Sequence, residues 1–231
     1  MNLEPLEKSL EHRFLHPELL VRALTHSSAS HQSRGSTYER LEFLGDRVLG
    51  LIVARMLYDR FPHESEGDLS KRHSALVCRD ALVRVAKTLR IAPFVILSAG
   101  EEAAGGRENP AILADVCEAV IAALYLDGGP EAAAEFIKKH WRPLMNNTPT
   151  PPQDAKTALQ EWVQGKGKPL PDYEEVSRTG PDHAPLFTVR ARIAGVRPQT
   201  ASGPTKRAAE QAAAKAVLIG AGVWSGEEHT Q

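Results

Sequence analysis

Cysteine is almost missing from this chain: Cys78 and Cys117 are the only two, and both sit in apolar stretches. So few cysteines exclude a disulfide framework and a cysteine-based zinc site, and they read as buried thiols of a reducing compartment. Long apolar runs are missing as well. None approaches the roughly 20 residues that a membrane helix needs. The first ten residues carry Glu4, Glu7 and Lys8 rather than the apolar core of a secretion signal, so the expectation is a cytoplasmic protein without a membrane partner. A basic excess is also lacking: 28 Lys and Arg stand against 29 Asp and Glu, a net charge of −1. That argues against a polyanion binding all over the surface. The balance is uneven, however. Residues 153–221 hold ten Lys and Arg against seven Asp and Glu, and residues 1–152 hold 18 against 20. Such asymmetry points to a division of labour between two parts of the chain.

What is present has a clear order. Three prolines fall within Asn146–Gln153, a density that forbids helix and favours an extended, semi-rigid linker. The expected organisation is therefore a first domain over 1–147, a Pro-rich linker over 148–153, a second domain over 154–221 and a short polar tail over 222–231. Before the linker the hydrophobic pattern is helical. Thr37–Tyr58, Leu69–Leu89, Pro110–Leu126 and Glu131–Trp141 predict helices, with Asp127-Gly128-Gly129-Pro130 as a stop between the last two. After the linker the period changes. Asp154 reads as the N-cap of a helix running to about Val163. Tyr173–Thr179, Leu186–Ile193 and Val196–Ala201 read as strands, and an Ala-rich helix follows from Thr205 to Ile219. The fold class implied is an all-α domain followed by an α+β domain of order α-β-β-β-α, its helices on one side of an antiparallel sheet.

The stretch Glu39-Arg40-Leu41-Glu42-Phe43-Leu44-Gly45-Asp46 carries the most chemistry. On a helix, Glu39, Glu42 and Asp46 fall within about 60° of one another. A second acidic pair, Asp115 and Glu118, is spaced i, i+3 in an otherwise apolar run. Spacing alone leaves open that both stripes are solvated faces of amphipathic helices. Two observations oppose that reading. Like charges at these spacings repel and do not stabilise their own helices. The apolar flanks also leave little room for a wholly exposed face. Gathered together, such carboxylates would need a cation to neutralise them, and their oxygens are the hard ligands that Mg²⁺ prefers.

The octapeptide Glu39–Asp46 resembles, uninterrupted, the signature of the ribonuclease III family. The resemblance continues in order through Thr25-His26-Ser27, Glu66-Gly67-Asp68-Leu69-Ser70, Gly105-Gly106-Arg107, Ile112-Leu113-Ala114-Asp115 with Glu118-Ala119, and Tyr125-Leu126-Asp127-Gly128-Gly129. It implies a nuclease that uses Mg²⁺, with Mn²⁺ able to substitute, to cut double-stranded RNA. By the resemblance, Glu42, Asp46, Asp115 and Glu118 match the metal-binding carboxylates, with Asp46 and Glu118 catalytic. Glu39 and Glu66 match an outer, RNA-facing acidic pair, and Phe43 matches an aromatic that packs into the partner of a homodimer. It further implies 5′-phosphate and 3′-hydroxyl ends with short 3′ overhangs, and substrates among ribosomal RNA precursors and messenger RNAs. Departures lie elsewhere: His73 and Ser27 stand where Arg is common, Ser98-Ala99-Gly100-Glu101 is a loose version of a Gly-rich motif, Pro110-Ala111 replaces a polar pair and Ala122 replaces a Gly.

The second domain places Lys206 and Arg207 at the start of its last helix. Cations there oppose the helix macrodipole, and an anion bound at the same end would reverse that penalty. A solvated basic turn is the bland alternative. Residues 153–221 are similar to the double-stranded-RNA-binding domain through Asp154, Lys156-Thr157, Leu159-Gln160-Glu161, Pro171, Tyr173, Gly180-Pro181-Asp182-His183 and Lys206-Arg207. That resemblance implies that Gln160 and Glu161 face one minor groove, that His183 reaches a second and that Lys206 and Arg207 hold the phosphates between. Ala201–Thr205 departs from the more Gly-rich approach of relatives, and Arg207 stands where Lys is usual. A non-cleaving, ribosome-associated RNA-binding protein on the same architecture is the alternative function. The presence of all four acids favours cutting.

Overall fold

The computed structural model describes residues 2–29, 37–147, 154–181 and 184–224. The linker expected over 148–153, the loop residue His183 and the tail from Ser225 lie outside these residues. The chain divides into two compact units, Met1–Pro152 and Gln153–Gln231.

The first unit is helical. Its α-helices are α1 (Glu4–Leu10), α2 (Pro17–Ala23), α3 (Glu39–Arg60), α4 (Glu66–Leu76), α5 (Arg79–Thr88), α6 (Ala99–Ala103) and α7 (Pro110–Asn146). A single bridge between Thr25 and Ile96 is the β-pairing among its described residues. Helix α7 is the axis of the domain, and α2, α3, α4 and α5 all pack on it. From Ile112 to Leu124 every residue except Asp115 and Glu118 is buried. Each Leu, Ile or Val so buried contributes about 1.5–3 kcal/mol relative to exposure. At the far end Trp141 is fully buried, and its indole N–H donates to the Leu76 carbonyl at 2.7 Å, tying α7 to the end of α4.

Two details differ from expectation. Leu69–Leu89 is two helices, because Cys78 adopts an extended conformation at the N-terminal boundary of α5. The same residue is exposed, so only Cys117 is a buried thiol. The break expected at Asp127–Pro130 is present: α7 is two helical segments joined across a kink at Gly129, whose φ of 79° lies in the left-handed region that favours glycine. Pro130 then restarts the helix at a position where its missing N–H costs nothing.

Asp127 itself closes the domain. Its carboxylate accepts from the backbone N–H groups of Leu15 and His16, at 3.0 and 2.8 Å, and lies 2.7 Å from His12 Nε2. The segment between α1 and α2 is thereby stapled to the bend of α7. Burial alone would raise the Asp127 pKa; hydrogen bonds from His12, His16 and Leu15 outweigh it and hold the carboxyl below 3.8.

The second unit has the order α8 (Ala155–Gly165), β1 (Asp172–Thr179), β2 (Leu186–Ile193), β3 (Val196–Gly203) and α9 (Lys206–Gly220). The strands form an antiparallel sheet in sequence order. Asp154 caps α8 by accepting from Thr157 N–H at 2.9 Å, and Thr205 caps α9 by accepting from Ala208 N–H at 3.1 Å. Val189, Ala191 and Ile193 alternate along β2 onto the helix side. There Ala191 and Ile193 meet Leu159 and Val163 of α8 and Ala213, Ala214, Val217 and Leu218 of α9. The α-β-β-β-α order expected from the sequence is the one observed.

Candidate active site

The two acidic stripes meet where α3 crosses α7. Gly45 makes the crossing possible. A Cβ at this position would overlap the backbone carbonyl of Glu118, so the two backbones touch with no side chain between them. Glu42 and Asp46 flank Gly45 on α3, while Asp115 and Glu118 occupy the facing turn of α7. All four are partly exposed on otherwise buried helix faces.

Their charges act on one another. Burial raises the pKa of Glu118, and the charges of Asp46, Glu42 and Asp115 raise it further, to about 8, against a smaller opposing effect of Arg47. Glu42 is also raised, first by burial, then by Asp115, Glu39 and Asp46. Asp115 is raised by burial, against the opposing hydrogen bond from Tyr38 and the charges of Arg79 and His26. Asp46 is paired with the neighbouring Arg47.

Negative charge thus predominates at the crossing, offset in part by Arg47, Arg79 and His26. Among the described residues no group of three His, Cys, Asp or Glu side chains is already arranged to hold a metal ion. The donor set nonetheless has the right chemistry for a hard divalent cation: carboxylate oxygens only, with no thiol or imidazole competing. Asp46 would have to turn from Arg47 to join the others.

Glu39 is exposed on the first turn of α3, and its charge reaches Glu42. Glu66 is exposed on the first turn of α4 and is not among the groups that perturb Glu42, Asp115 or Glu118. Helix α4 is held against α3 by His73, whose Nε2 lies 2.9 Å from the Gly50 carbonyl. The loop before α4 is pinned by the buried Arg72, which binds Glu64 through two nitrogens and covers the Phe61 ring at 3.9 Å.

Phe43 is 66% exposed, as are Leu51 at 73% and Tyr58 at 70%. With Arg47, whose guanidinium lies over the Phe43 ring, they form one stripe spanning about 80° of α3.

In the second unit Gln160 and Glu161 are exposed on α8, and Lys206 and Arg207 are exposed on the first turn of α9.

Two residues near the carboxylates were not singled out from the sequence. Tyr38 is buried, and its hydroxyl donates to Asp115 Oδ2 at 3.4 Å. Its ring packs on His26, and its backbone N–H bonds the Thr25 carbonyl. Arg79, at the start of α5, is a charge near Asp115. Tyr38 stands directly before the acidic octapeptide, a position that could have marked it. Arg79 is separated from Asp115 by more than 30 positions and carries no local signal.

Residues 16–144 match the family model described as Ribonuclease-III-like, and residues 155–219 match the Double-stranded RNA binding motif. The class is thus a helical nuclease-type domain joined to an RNA-binding module. The chain belongs to the ribonuclease III family. It is 47% identical to the Ribonuclease 3 of Bradyrhizobium diazoefficiens over 96% of this chain and 90% of that one. It is 49% identical to the Ribonuclease 3 of Caulobacter vibrioides over 92% of this chain and 93% of the relative. The crystal structure of the nuclease domain of ribonuclease III from Campylobacter jejuni covers 64% of this chain and 97% of its own, at 40% identity and a TM-score of 0.58. A second structure of that domain describes flexibility in a region involved in dimer formation, with a TM-score of 0.57 and 41% identity over 61% of this chain and 99% of its own.

Proposed function

We propose that this protein is an endoribonuclease that hydrolyses the phosphodiesters of double-stranded RNA, leaving 5′-phosphate and 3′-hydroxyl ends with short 3′ overhangs. The observation that carries the reading is the α3–α7 crossing, where the charges of Asp46 and Asp115 raise both Glu42 and Glu118 and that of Glu42 also raises Glu118. These four would hold Mg²⁺, or Mn²⁺ in its place. Held by these carboxylates, such an ion would supply activation of a water and neutralisation of charge on the attacking and leaving oxygens. Asp46 and Glu118 are the catalytic pair. Tyr38 and the close contact of Gly45 with the Glu118 carbonyl fix the positions from which these side chains act. Glu39 and Glu66 lie on the first turns of their helices as the outer, RNA-facing acids.

The second unit supplies recognition. Gln160 and Glu161 face a minor groove through ribose hydroxyls, His183 reaches a second groove, and Lys206 and Arg207 meet the phosphates between, so the duplex is read by shape. The exposed α3 stripe supports a symmetric homodimer, in which Phe43 of each protomer enters its partner. A groove of about 500 Å³ beside the stripe, lined by Leu44, Leu51, Ile52, Tyr125 and Ala134, has a volume that suits an aromatic ring. The two centres of such a dimer would each cut one strand. Ribosomal RNA precursors and structured messenger RNAs are the expected substrates, in the cytoplasm; no helix among the described residues is long and apolar enough to cross a membrane.

The test is incubation of the protein with labelled double-stranded RNA, single-stranded RNA and double-stranded DNA, each with Mg²⁺ and with EDTA. Cleavage of the duplex RNA alone, and only with the metal, is expected. Tight duplex binding without cleavage in Mg²⁺ or Mn²⁺ would instead establish the non-cleaving alternative.

A further inference from the structure

The two cations that open α9 each face an acid of their own domain. Lys206 Nζ lies 3.4 Å from Glu175 Oε2. The charge of Arg207 acts on Asp154. The acids differ in what else they do. Asp154 caps α8 and also accepts from Gln211, so the fold accounts for it. Glu175 caps nothing, and among the described residues Lys206 is its ion-pair partner.

Its position makes it more unusual. In the β1–β2 ladder Glu175 is directly opposite Val189, and Val189 is opposite Ala201. Directly paired residues of neighbouring strands project to the same face of a sheet. Val189 is fully buried on the helix side. A position opposite it, on that face, calls for an apolar residue, yet a carboxylate stands there and reaches the N-terminal end of α9. The register shift just after it, between Glu175 and Ser177, leaves Val176 on the outside at 43% exposure. Stability does not explain the choice, since an ion pair as exposed as this one contributes little. A carboxylate beside the positive end of a helix, on a lysine of that helix, occupies the kind of environment that a phosphate would take.

We propose that Glu175 is a built-in counter-anion that competes with RNA phosphate for Lys206. It holds the affinity of the domain for duplex RNA, and the salt dependence of that affinity, below what its cations alone would give. Binding then exchanges the Lys206–Glu175 pair for a Lys206–phosphate contact, and less of the gain appears as net affinity. The proposal rests on the reading of Lys206 as a phosphate contact.

The test is a double-mutant cycle on the full chain, with labelled duplex RNA in EDTA so that nothing is cleaved, from 50 to 200 mM salt. E175Q is expected to bind about two- to fivefold more tightly, the range that one exposed ion pair supports. Its salt slope should steepen by up to about one charge. In the K206A background the same substitution should bring no gain. E175V, which restores an apolar residue to that face, should match E175Q. Unchanged or weaker binding by both Glu175 variants would overturn the proposal. So would a gain that persists without Lys206, because it would then be a general effect of net charge. If K206A alone leaves affinity and slope unaltered, the phosphate reading of Lys206 fails first, and this result separates the two failures.

Discussion

Gly45 of α3 lies against the Glu118 carbonyl of α7 so closely that a methyl group there would overlap it. One glycine thus sets the distance between two helices and the spacing of four carboxylates, two on each side of the contact. Gly45→Ala would have to push the helices apart. The cost of forcing a methyl group against rigid backbone is about 3 kcal/mol or more. The expected result is a marked loss in urea-denaturation stability together with loss of any thermal stabilisation by Mg²⁺. An alanine variant of native stability would mean that the crossing is looser than this contact implies.

Glu118 is the most perturbed of the four acids, raised first by burial and then by the charges around it. Raised to about 8, the Glu118 carboxyl is largely protonated near neutral pH without metal, and Glu118→Gln keeps its shape while removing the cost of holding it protonated. The metal-free variant should therefore be at least as stable as the parent. The rise in Tm on adding Mg²⁺ should shrink or vanish, cleavage should stop, and duplex binding should persist, because the proposed phosphate contacts, Lys206 and Arg207, are in the other domain. Retained cleavage would remove Glu118 from the chemistry.

Asp127 shows how differently fold and site were legible. The helical first domain, the α-β-β-β-α second domain and the acidic stripes follow from local periodicity and spacing. Asp154 could be recognised as a cap and Gly45 as part of a motif. The roles of Asp127, Arg72 and Tyr38 could not be recognised in this way, because each acts on groups far away in sequence or on backbone atoms that sequence does not display. The motif Asp127-Gly128-Gly129-Pro130 reads as a break between two helices, and the non-helical Gly129 is that break. What local pattern does not display is that Asp127 binds the segment 111 and 112 residues earlier. Cys78 failed for a related reason: its neighbours are apolar, but it stands at a helix boundary at the surface.

The same Asp127 gives a pH-dependent prediction. Its hydrogen bonds hold its folded pKa below the unfolded value of 3.8. A depressed carboxyl contributes stability that is fully present above the unfolded pKa and is lost as pH falls through the folded one. Asp127→Ala should cost about 2–4 kcal/mol near neutral pH, since hydrogen bonds to a charged group are each worth roughly 1.5–3 kcal/mol. The gap between parent and variant should hold from pH 7 down to about 4 and narrow below it. Denaturation curves at pH 7, 5 and 3 measure this. A gap that widens in acid would mean that the His12 ring, rather than the carboxylate, supplies the stabilisation.

Phe43 tests the homodimer without touching the carboxylates. Because its ring is 66% exposed, the fold of one protomer gains little from it, and Phe43→Ala should leave far-UV circular dichroism and the unfolding midpoint of the isolated protomer nearly unchanged. In a two-fold interface the ring is buried twice. At about 2 kcal/mol for each ring removed from water, the variant should dimerise on the order of a thousandfold more weakly. Sedimentation at several protein concentrations should show a monomer where the parent is expected to be a dimer. Cleavage should then pass from paired cuts on both strands to single nicks, since each cut needs its own centre. A Phe43→Ala protein that stays dimeric at nanomolar concentration would show that this stripe serves something other than self-association.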